Sequence, residues 1–246
     1  MNLHKIVNNS FIEASKQFKE KIFSSDKNFL VLSLSMESFA ELFFPNKNNQ
    51  IYPKNLQNKT FPELFKIFND EEIHKVNEFK TYKRQKEWMC GRYIIKQLVS
   101  KIYSVEMKHI HVSTKTNGAP YLKDFPEKNI SISHSGKYAI GAITLSNQTQ
   151  IGIDIENITQ PRSNEFCSIA FSQNELNYLK KEPFQQLYVN WTIKEAYLKL
   201  IEQGFHENLK QVEVLDNKIY HRGELMETSI KTTKIDSEYI FSVVSN

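Results

Sequence analysis

The chain contains few cysteines. Its 246 residues include two, Cys90 and Cys167, which form neither a CxxC pair nor a Cys/His cluster with the spacing of a zinc site. We therefore expect no zinc-binding module. Both thiols are expected to be reduced and to lie in the core.

Long apolar segments are also lacking. No apolar run approaches the ~18 residues that a membrane-spanning helix needs. The first residues, MNLHKIVNNSFIEASKQF, lack the unbroken apolar stretch and the small-residue cleavage site of a signal peptide. These absences predict a protein without a membrane partner, and a cytoplasmic enzyme is the expected class.

A strong excess of one charge is absent as well. The formal net charge is +4 and the sequence pI is about 8.8, which fits an acidic partner or a phosphate ligand but is too weak to indicate nucleic acid. Hydrophobic residues make up 40% of the chain and aromatic residues 12%. The composition therefore predicts a folded globular protein and not a disordered one.

One order of elements occurs twice along the chain. Helical periodicity over residues 61–103 is followed by short strands, and helical periodicity over residues 191–201 is again followed by strands. Similar residues recur at a spacing near one hundred: Val112 and Val212, Asn117 and Asn217, Tyr138 and Tyr239. We predict an α+β fold of two similar halves with pseudo-twofold symmetry, residues 1–147 and 148–246. Each half is expected to be a small, mainly antiparallel sheet packed on a long helix, with the active site in the cleft between the halves.

An acidic strand is predicted at residues 151–156, which read Ile-Gly-Ile-Asp-Ile-Glu. In a strand, Asp154 and Glu156 project from one face, roughly 6 to 7 Å apart, while the β-branched isoleucines pack on the other face. Two close carboxylates repel each other, and a cation relieves that repulsion. Taken alone, the pattern is also common at solvent-facing strand edges.

The helix predicted at residues 191–201 carries a third acid. Trp191, Glu195 and Lys199 are spaced four residues apart, so an aromatic ring, an acid and a base share one stripe. The two strand acids, Glu195 and the nearby ammonium group suit Mg²⁺ bound to a phosphorylated ligand. The alternative is a Glu-to-Lys pair on a solvated helix face.

A polar cluster ends the strand predicted at residues 130–133. Residues 131–136 read Ser-Ile-Ser-His-Ser-Gly, and such a turn can donate several hydrogen bonds to a phosphate. A serine hydrolase would require a nucleophile elbow around the serine, and this segment lacks that motif. The structural alternative is a polar hairpin turn with an exposed histidine.

Five segments resemble a known enzyme family in their residues and in their order. They are Gly118-Ala119-Pro120, Ser131-Ile132-Ser133-His134-Ser135, Gly152-Ile153-Asp154-Ile155-Glu156, Phe171-Ser172-x-x-Glu175 and Trp191-x-x-Lys194-Glu195-Ala196-x-x-Lys199. This order is similar to that of 4'-phosphopantetheinyl transferases of the broad-specificity, monomeric, surfactin-synthetase-activating class. Residues 70–98 also resemble the N-terminal half of that family.

The resemblance implies transfer of the 4'-phosphopantetheine arm of coenzyme A to a serine of an apo acyl or peptidyl carrier protein, an acidic partner, with release of adenosine 3',5'-bisphosphate. The carriers would serve fatty-acid, polyketide or nonribosomal peptide synthesis. A monomer is expected, since each half completes the other's site.

The resemblance also assigns roles around the pyrophosphate. Asp154, Glu156 and Glu195 would hold Mg²⁺ on it, and Lys199 would contact the same phosphates. Either Glu195 or a metal-bound water would remove the serine proton. Glu175 matches a family acid near the site, which would orient the carrier serine or take its proton.

The remaining coenzyme contacts also follow from the resemblance. They are Gly118 and Pro120 against the adenine, Ser133 and His134 at the ribose phosphate, and Asp154, Lys194 and Lys199 as further contacts.

The chain departs from the family pattern at two basic positions. The usual Gly-Lys-Pro has Ala119 in place of the lysine, and a basic position upstream is Thr114. Candidates to restore the positive potential are Lys75, Lys83 and Lys115. Arg84 and Arg92 lie on the long helix, where a coenzyme contact and an ordinary surface charge are both open. We expect weaker coenzyme affinity but no loss of function.

Two alternative functions stay open at this point. The missing lysine at Ala119 would fit a non-catalytic relative that binds carrier protein. A Mg²⁺ site would also fit a phosphohydrolase that attacks with water. The full set of acids together with Lys199 favours the transferase.

Overall fold

The computed structural model describes residues 21–22, 28–44, 56–57, 61–204 and 207–246. Within these residues the chain forms seven α-helices and twelve β-strands. The helices are α1 (Met36–Phe43), α2 (Pro62–Ile67), α3 (Asp70–Glu78), α4 (Tyr82–Tyr103), α5 (Asn164–Ala170), α6 (Gln173–Leu179) and α7 (Phe184–Leu200). The strands are β1 (Lys21–Ile22), β2 (Phe29–Ser35), β3 (Val112–Thr114), β4 (Pro120–Leu122), β5 (Ile130–Ser135), β6 (Tyr138–Thr144), β7 (Ile151–Asn157), β8 (Val212–Leu215), β9 (Lys218–His221), β10 (Glu224–Leu225), β11 (Ser229–Lys234) and β12 (Tyr239–Ser245).

The first half is built on an antiparallel sheet with the strand order β1-β2-β6-β5. β2 is almost entirely apolar and lies inside this sheet, so that all of its residues except Ser35 are buried. The long helix α4 packs across the sheet. It begins after Thr81, whose side chain accepts a hydrogen bond from the amide of Arg84, and it buries Ile94 and Leu98 in the core.

The second half repeats this arrangement with the strand order β11-β12-β7 and the helix α7. A hairpin of β8 and β9 follows the helix. Its turn residues, Asp216 and Asn217, have φ angles of 50° and 56°, as a type I′ turn requires.

The two halves share one order of elements. In each, a sheet strand is followed by short helices, one long helix, a 3₁₀ turn, a hairpin and two further sheet strands. The first sheet strand pairs antiparallel with the last in both halves, β2 with β6 and β7 with β12. The predicted α+β fold of two similar halves is therefore confirmed. The boundary between residues 147 and 148 stays a prediction.

One apolar core joins the two sheets. It contains side chains of both halves: Phe29, Val31, Ile140 and Ala142 from the first, and Ile151, Ile153, Ile155, Phe241 and Val243 from the second. At the junction, hydroxyl groups of β5 accept hydrogen bonds from backbone amides of β7. Ser131 accepts from Ile153 at 3.1 Å and Ser133 from Ile155 at 3.4 Å. The polar cluster of β5 therefore lies beside the acidic strand.

Both cysteines are free thiols. Cys90 is buried, as expected, and burial raises the pKa of its thiol. Cys167 is half-buried at the rim of the apolar cluster around Trp191, so the expectation of a core position was wrong for this residue. None of the helices in the described part of the chain is long and apolar enough to span a bilayer.

Gly152 permits a close approach of β7 to α7. A Cβ atom on this residue would lie 1.8 Å from the carbonyl oxygen of Ala196 and 2.6 Å from the amide nitrogen of Leu200. Both are backbone atoms of a helix, and they cannot move away as the end of a flexible side chain can. A glycine is therefore needed for the spacing that brings the acids of β7 to the side chains of α7.

Replacing this glycine, Gly152→Ala, should lower the free energy of unfolding by about 3 kcal/mol, because the added methyl group forces the strand and the helix apart. Urea denaturation measures the change. Gly223→Ala is the control: Gly223 has a φ of 85° and open space around it, so this variant should lose about 1 kcal/mol through backbone strain alone. Equal losses in the two variants would contradict the close contact.

Candidate active site

The acids of β7 face the long helix α7. Gly152, Asp154 and Glu156 alternate with isoleucines that lie in the shared core, so the acids project from the face on which α7 packs. Asp154 is only 6% exposed. A buried carboxylate needs partners of opposite charge or hydrogen-bond donors, and both α7 and β5 supply them.

Lys199 and Ser133 meet at one oxygen atom of Asp154. The Lys199 ammonium lies 2.6 Å from Oδ1 of Asp154 and donates to the Ser133 hydroxyl at 3.0 Å. The Ser133 hydroxyl donates to the same Oδ1 at 2.8 Å. Side chains from β5, β7 and α7 thus converge where the two halves join.

Glu156 is held by α7 and by the loop after β7. The indole N–H of Trp191 donates to its Oε1 at 3.0 Å, and Arg162 pairs with its Oε2 at 2.8 Å. Burial, and then the negative charge of Asp154, raise the pKa of Glu156. No periodicity in the sequence singles out Arg162, because it lies in an irregular loop and only the fold brings it to Glu156.

Glu195 completes the stripe predicted for α7. Trp191 contacts Glu156 and Lys199 contacts Asp154, so the stripe faces the acidic strand. Glu195 is 9% exposed, and burial, followed by repulsion from Asp154, raises its pKa to about 7. At neutral pH this carboxyl group is therefore close to the midpoint of its titration.

Two buried carboxylate oxygens in this cluster lack a hydrogen-bond partner. They are Oδ2 of Asp154 and Oε1 of Glu195. Buried acceptors without donors are costly, and the repulsion between the two acids adds to that cost. A divalent cation would supply both oxygens with a partner, so this pair of hard oxygen ligands fits Mg²⁺.

The three predicted metal ligands are not arranged as a finished metal site. Among the residues described, no group of three or more His, Cys, Asp or Glu side chains has such an arrangement. Both oxygens of Glu156 are engaged, by Trp191 and Arg162. The assignment of Mg²⁺ to this site therefore stays a prediction, supported by the unpartnered oxygens of Asp154 and Glu195.

Glu175 and Lys194 form a buried ion pair. Both side chains are 0% exposed, and the Lys194 ammonium lies 2.7 Å from Oε2 of Glu175. Lys194 also donates to the carbonyls of Ala170 and Leu209, and Glu175 also accepts from two backbone amides. In this structure neither side chain is accessible to a ligand. The ion pair gives both side chains a structural role. The catalytic role expected for Glu175 and the coenzyme contact expected for Lys194 stay predictions.

The first half contains an equivalent buried lysine–glutamate ion pair, which is also hydrogen-bonded to backbone carbonyl groups. Lys96 of α4 lies 2.6 Å from Glu72 and donates to the carbonyls of Ile67 and Met107. Each acid, Glu72 or Glu175, closes a capping box at the start of a short helix. The sequence carries this signal, because Tyr93-x-x-Lys96-Gln97-x-x-x-Lys101 parallels Trp191-x-x-Lys194-Glu195-x-x-x-Lys199.

This correspondence places the acids in one half only. Gln97 occupies on α4 the position that Glu195 occupies on α7. β6 and β12 begin at equivalent tyrosines, so Leu32, opposite Gly141, corresponds to Asp154, opposite Ser242. An apolar residue and an amide thus replace two acids, and the described residues of the first half form no acidic cluster at the equivalent place.

The three lysines expected to compensate for Ala119 each lie near a carboxylate. The distances between nitrogen and oxygen are 2.8 Å for Lys75 and Glu78, 3.9 Å for Lys83 and Glu87, and 2.6 Å for Lys115 and Glu202. The last pair joins the β3–β4 hairpin to the turn after α7. Pairs at an exposed surface are weak, so a coenzyme contact by these lysines stays a prediction.

The predicted nucleotide contacts lie around α4. Pro120 pairs with Thr114 in the β3–β4 hairpin, and Gly118 in its turn has a φ of 88°, a conformation that favours glycine. His134 lies 3.8 Å from Glu87 of α4, and burial lowers the pKa of its imidazole.

The structural role of the buried ion pair predicts a loss of stability for Glu175→Gln. This variant leaves the Lys194 ammonium buried without an anion, which should lower the free energy of unfolding by about 3–5 kcal/mol. Urea denaturation measures the change. The double variant Glu175→Leu/Lys194→Met removes both charges and should recover most of the loss. A Glu175→Gln protein as stable as the parent would refute the structural role.

Glu195→Gln should stabilise the metal-free protein at pH 8. Because the pKa of Glu195 is raised to about 7 in the folded state, the folded protein binds this proton more tightly than the unfolded chain. Stability is therefore lost as pH rises from the ordinary carboxyl pKa through about 7. The neutral amide removes that loss, on the order of 3 kcal/mol.

Thermal unfolding in EDTA at pH 5 and pH 8 tests the effect of Glu195→Gln. The gain in Tm should be much larger at pH 8 than at pH 5. Glu238→Gln, a substitution at an exposed acid paired with Lys137, should show no such difference. An equal Tm for the parent and Glu195→Gln at pH 8 would mean that the surroundings of Glu195 do not disfavour its ionised form.

Two family models match the chain. One, described as the N-terminal part of 4'-phosphopantetheinyl transferase, matches residues 55–146. The other, described as the 4'-phosphopantetheinyl transferase superfamily, matches residues 150–243 and includes the acidic cluster. Together they cover most of both structural halves.

Known transferases are similar to the chain over much of its length. The 4'-phosphopantetheinyl transferase Sfp of Bacillus subtilis (strain 168) is 30% identical over 167 residues, 63% of this chain and 71% of that protein. The transferase psf-1 of Bacillus pumilus is 29% identical over 125 residues, 49% of this chain and 52% of that protein. The human L-aminoadipate-semialdehyde dehydrogenase-phosphopantetheinyl transferase is 31% identical over 159 residues, 58% of this chain and 51% of that protein.

The match thus spans about half the length of psf-1 and of the human protein, and more than two thirds of Sfp. The two family models divide the chain between β6 and β7, where the fold also changes from one half to the other. On these grounds the chain belongs to the 4'-phosphopantetheinyl transferase family.

Proposed function

We propose that the protein transfers the 4'-phosphopantetheine arm of coenzyme A to a serine hydroxyl of an apo acyl or peptidyl carrier protein and releases adenosine 3',5'-bisphosphate. The observation that carries this proposal is the convergence of Asp154, Glu195 and Lys199 at the junction of the two halves. Two acids with unpartnered oxygens beside an ammonium group suit a ligand that contains both a cation and phosphates.

Mg²⁺ is the cation that we assign to this cluster, with Asp154 and Glu195 as its first ligands. When bound, it would neutralise negative charge on the pyrophosphate and on the leaving phosphate. Glu156 would join as the third ligand by releasing Arg162, its present partner at 2.8 Å.

Lys199 is the residue that we assign to the phosphates themselves. Its ammonium lies 2.6 Å from Asp154, so it can offset charge on a pyrophosphate held beside that acid. Ser133 donates to Asp154 and accepts from Lys199, and in this arrangement it positions both groups. The contact of Ser133 and His134 with the ribose phosphate remains part of the proposal.

The transfer requires one proton acceptor. The serine oxygen forms a bond to the phosphorus that carries the pantetheine arm, while the bond from that phosphorus to the bridging oxygen of the pyrophosphate breaks. The electron pair leaves with the bisphosphate, where Lys199 offsets the charge. We assign the serine proton to Glu195, a carboxylate of the same cluster.

The partner that this chemistry requires is a carrier protein with an accessible serine. The net charge of +4 favours an acidic carrier, since opposite charges accelerate encounter. We further propose that the enzyme acts as a monomer, because β5 and β7 of one chain already bring Ser133 to Asp154. A cytoplasmic location is also part of the proposal.

Asp154→Asn should reduce the rate of pantetheine transfer by at least about 10²-fold, because an amide replaces the anion that binds the metal and orients Lys199. The assay incubates each protein with coenzyme A, Mg²⁺ and a panel of apo acyl and peptidyl carriers, and mass spectrometry then measures the phosphopantetheine adduct on the carrier. The control, Glu238→Gln, removes an exposed acid and should transfer at the rate of the parent.

Three results of this assay would count against the proposal. If the parent protein formed no phosphopantetheine adduct on any of the carriers, the proposed transferase activity would be refuted. Release of adenosine bisphosphate without any carrier would favour a phosphohydrolase. Full activity of Asp154→Asn at limiting Mg²⁺ would show that the metal assignment is wrong.

A further inference from the structure

Arg162 lies in the loop between β7 and α5 and holds one oxygen of Glu156. Its Nη2 atom is 2.8 Å from Oε2 of Glu156, and both side chains are half-buried. The indole N–H of Trp191 donates to the other oxygen, Oε1, at 3.0 Å. The carboxylate therefore has two partners of different kinds, a neutral donor on the long helix α7 and a cation on a loop.

Two aromatic rings lie beside the guanidinium of Arg162. Its central carbon is 4.9 Å from the ring centroid of Phe166 and 5.8 Å from that of Tyr188, distances at which a ring attracts a cation. The Nε atom is buried without a hydrogen-bond partner. A two-point contact with Glu156 through Nε and Nη2, which would strengthen the pair, is therefore not formed.

The loop backbone is anchored on both sides of Arg162. On one side, the hydroxyl of Tyr188 donates to the carbonyl of Gln160. On the other side, the hydroxyl of Ser163 caps α5 by accepting from the amide of Phe166 at 3.1 Å. The arginine side chain can therefore leave Glu156 by rotating about its own bonds, without a rearrangement of the loop backbone.

Glu156 belongs to the same cluster as Asp154 and Glu195, whose unpartnered oxygens fit a divalent cation. Burial and then the charge of Asp154 raise the pKa of Glu156, and Arg162 is the strongest influence in the opposite direction. Arg162 thus supplies at Oε2 the positive charge that a metal ion would supply there. Two cations at one carboxylate oxygen repel each other, so only one of them can occupy it.

We propose that Arg162 competes with the divalent cation for Oε2 of Glu156 and thereby sets the metal affinity of the site, while Trp191 keeps hold of Oε1 during the exchange. The inference rests on the proposed function, because it takes Asp154 and Glu195 as the first metal ligands. It adds to them a residue that opposes metal binding.

Titration of the full chain with Mn²⁺ in the presence of coenzyme A, followed by the paramagnetic resonance signal of the free ion, tests this competition. Arg162→Gln should tighten the Kd of Mn²⁺ by about 10-fold, which corresponds to an Oε2 atom free of arginine in about one-tenth of the parent molecules. Arg162→Lys should tighten it by a smaller factor, since the ammonium keeps the charge but loses the planar donors and the stacking on Phe166.

The competition also predicts opposite effects of Arg162→Gln on thermal stability. In EDTA at pH 8 the variant should have a lower Tm than the parent, because Glu156 loses the cation that offsets its charge. Saturating Mn²⁺ should raise the Tm of the variant more than that of the parent, since tighter binding to the folded state stabilises it more. An arginine with a structural role alone would lower the Tm without tightening the metal.

Glu156→Gln distinguishes competition for this carboxylate from a general loss of positive charge. In that background the further change Arg162→Gln should alter the Kd by no more than about twofold, because the shared carboxylate is gone. Arg222→Gln is the matched control: it removes an exposed arginine paired with Glu207 and should leave the Kd unchanged.

A Kd for Arg162→Gln equal to that of the parent, or weaker, would overturn the inference. So would a tenfold gain that persists in Glu156→Gln. If Glu156→Gln binds Mn²⁺ too weakly to titrate, Arg162→Lys decides, and a Kd equal to that of the parent would show that charge alone matters. Absence of Mn²⁺ binding by the parent and by Arg162→Gln alike would overturn the metal assignment in the proposed function, whereas binding by the parent without a gain in Arg162→Gln would overturn this inference alone.

Discussion

The close packing of β7 on α7 at Gly152 is the contact on which the site depends. It leaves no room for a Cβ atom between the strand and the helix backbone. Side chains that follow on the same face of β7 therefore meet those of α7 directly. Lys199 reaches Asp154, and Trp191 reaches Glu156, so the two elements together form one acidic cluster.

The cluster is built at some cost to the stability of the metal-free protein. Asp154 and Glu195 each keep one buried oxygen without a partner, and burial raises the pKa of Glu195 to about 7. The equivalent positions of the first half, Leu32 and Gln97, carry no charge. The same architecture thus carries uncharged side chains at these positions in one half and buried acids in the other. Such a departure from the best local packing is typical of functional sites.

Much of the fold and part of the site follow from the sequence. The alternation of residues 151–156 and the four-residue spacing from Trp191 to Lys199 predict a strand and a helix stripe, and the structure shows these facing each other. Burial and pairing do not follow from such patterns. Glu175 and Lys194 look polar in sequence but are neutralised by each other inside the protein, and Arg162 comes to Glu156 only through the path of a loop.

The central claim is that Asp154 and Glu195 share a divalent cation needed for phosphoryl transfer. Electron paramagnetic resonance of Mn²⁺ tests it most directly, because the signal of the free aqueous ion falls as the ion is bound. In the presence of coenzyme A, the account predicts one bound Mn²⁺ per chain in the parent protein and none at the same concentration in Glu195→Gln. An undiminished free signal with the parent, or equal binding by both proteins, would contradict it.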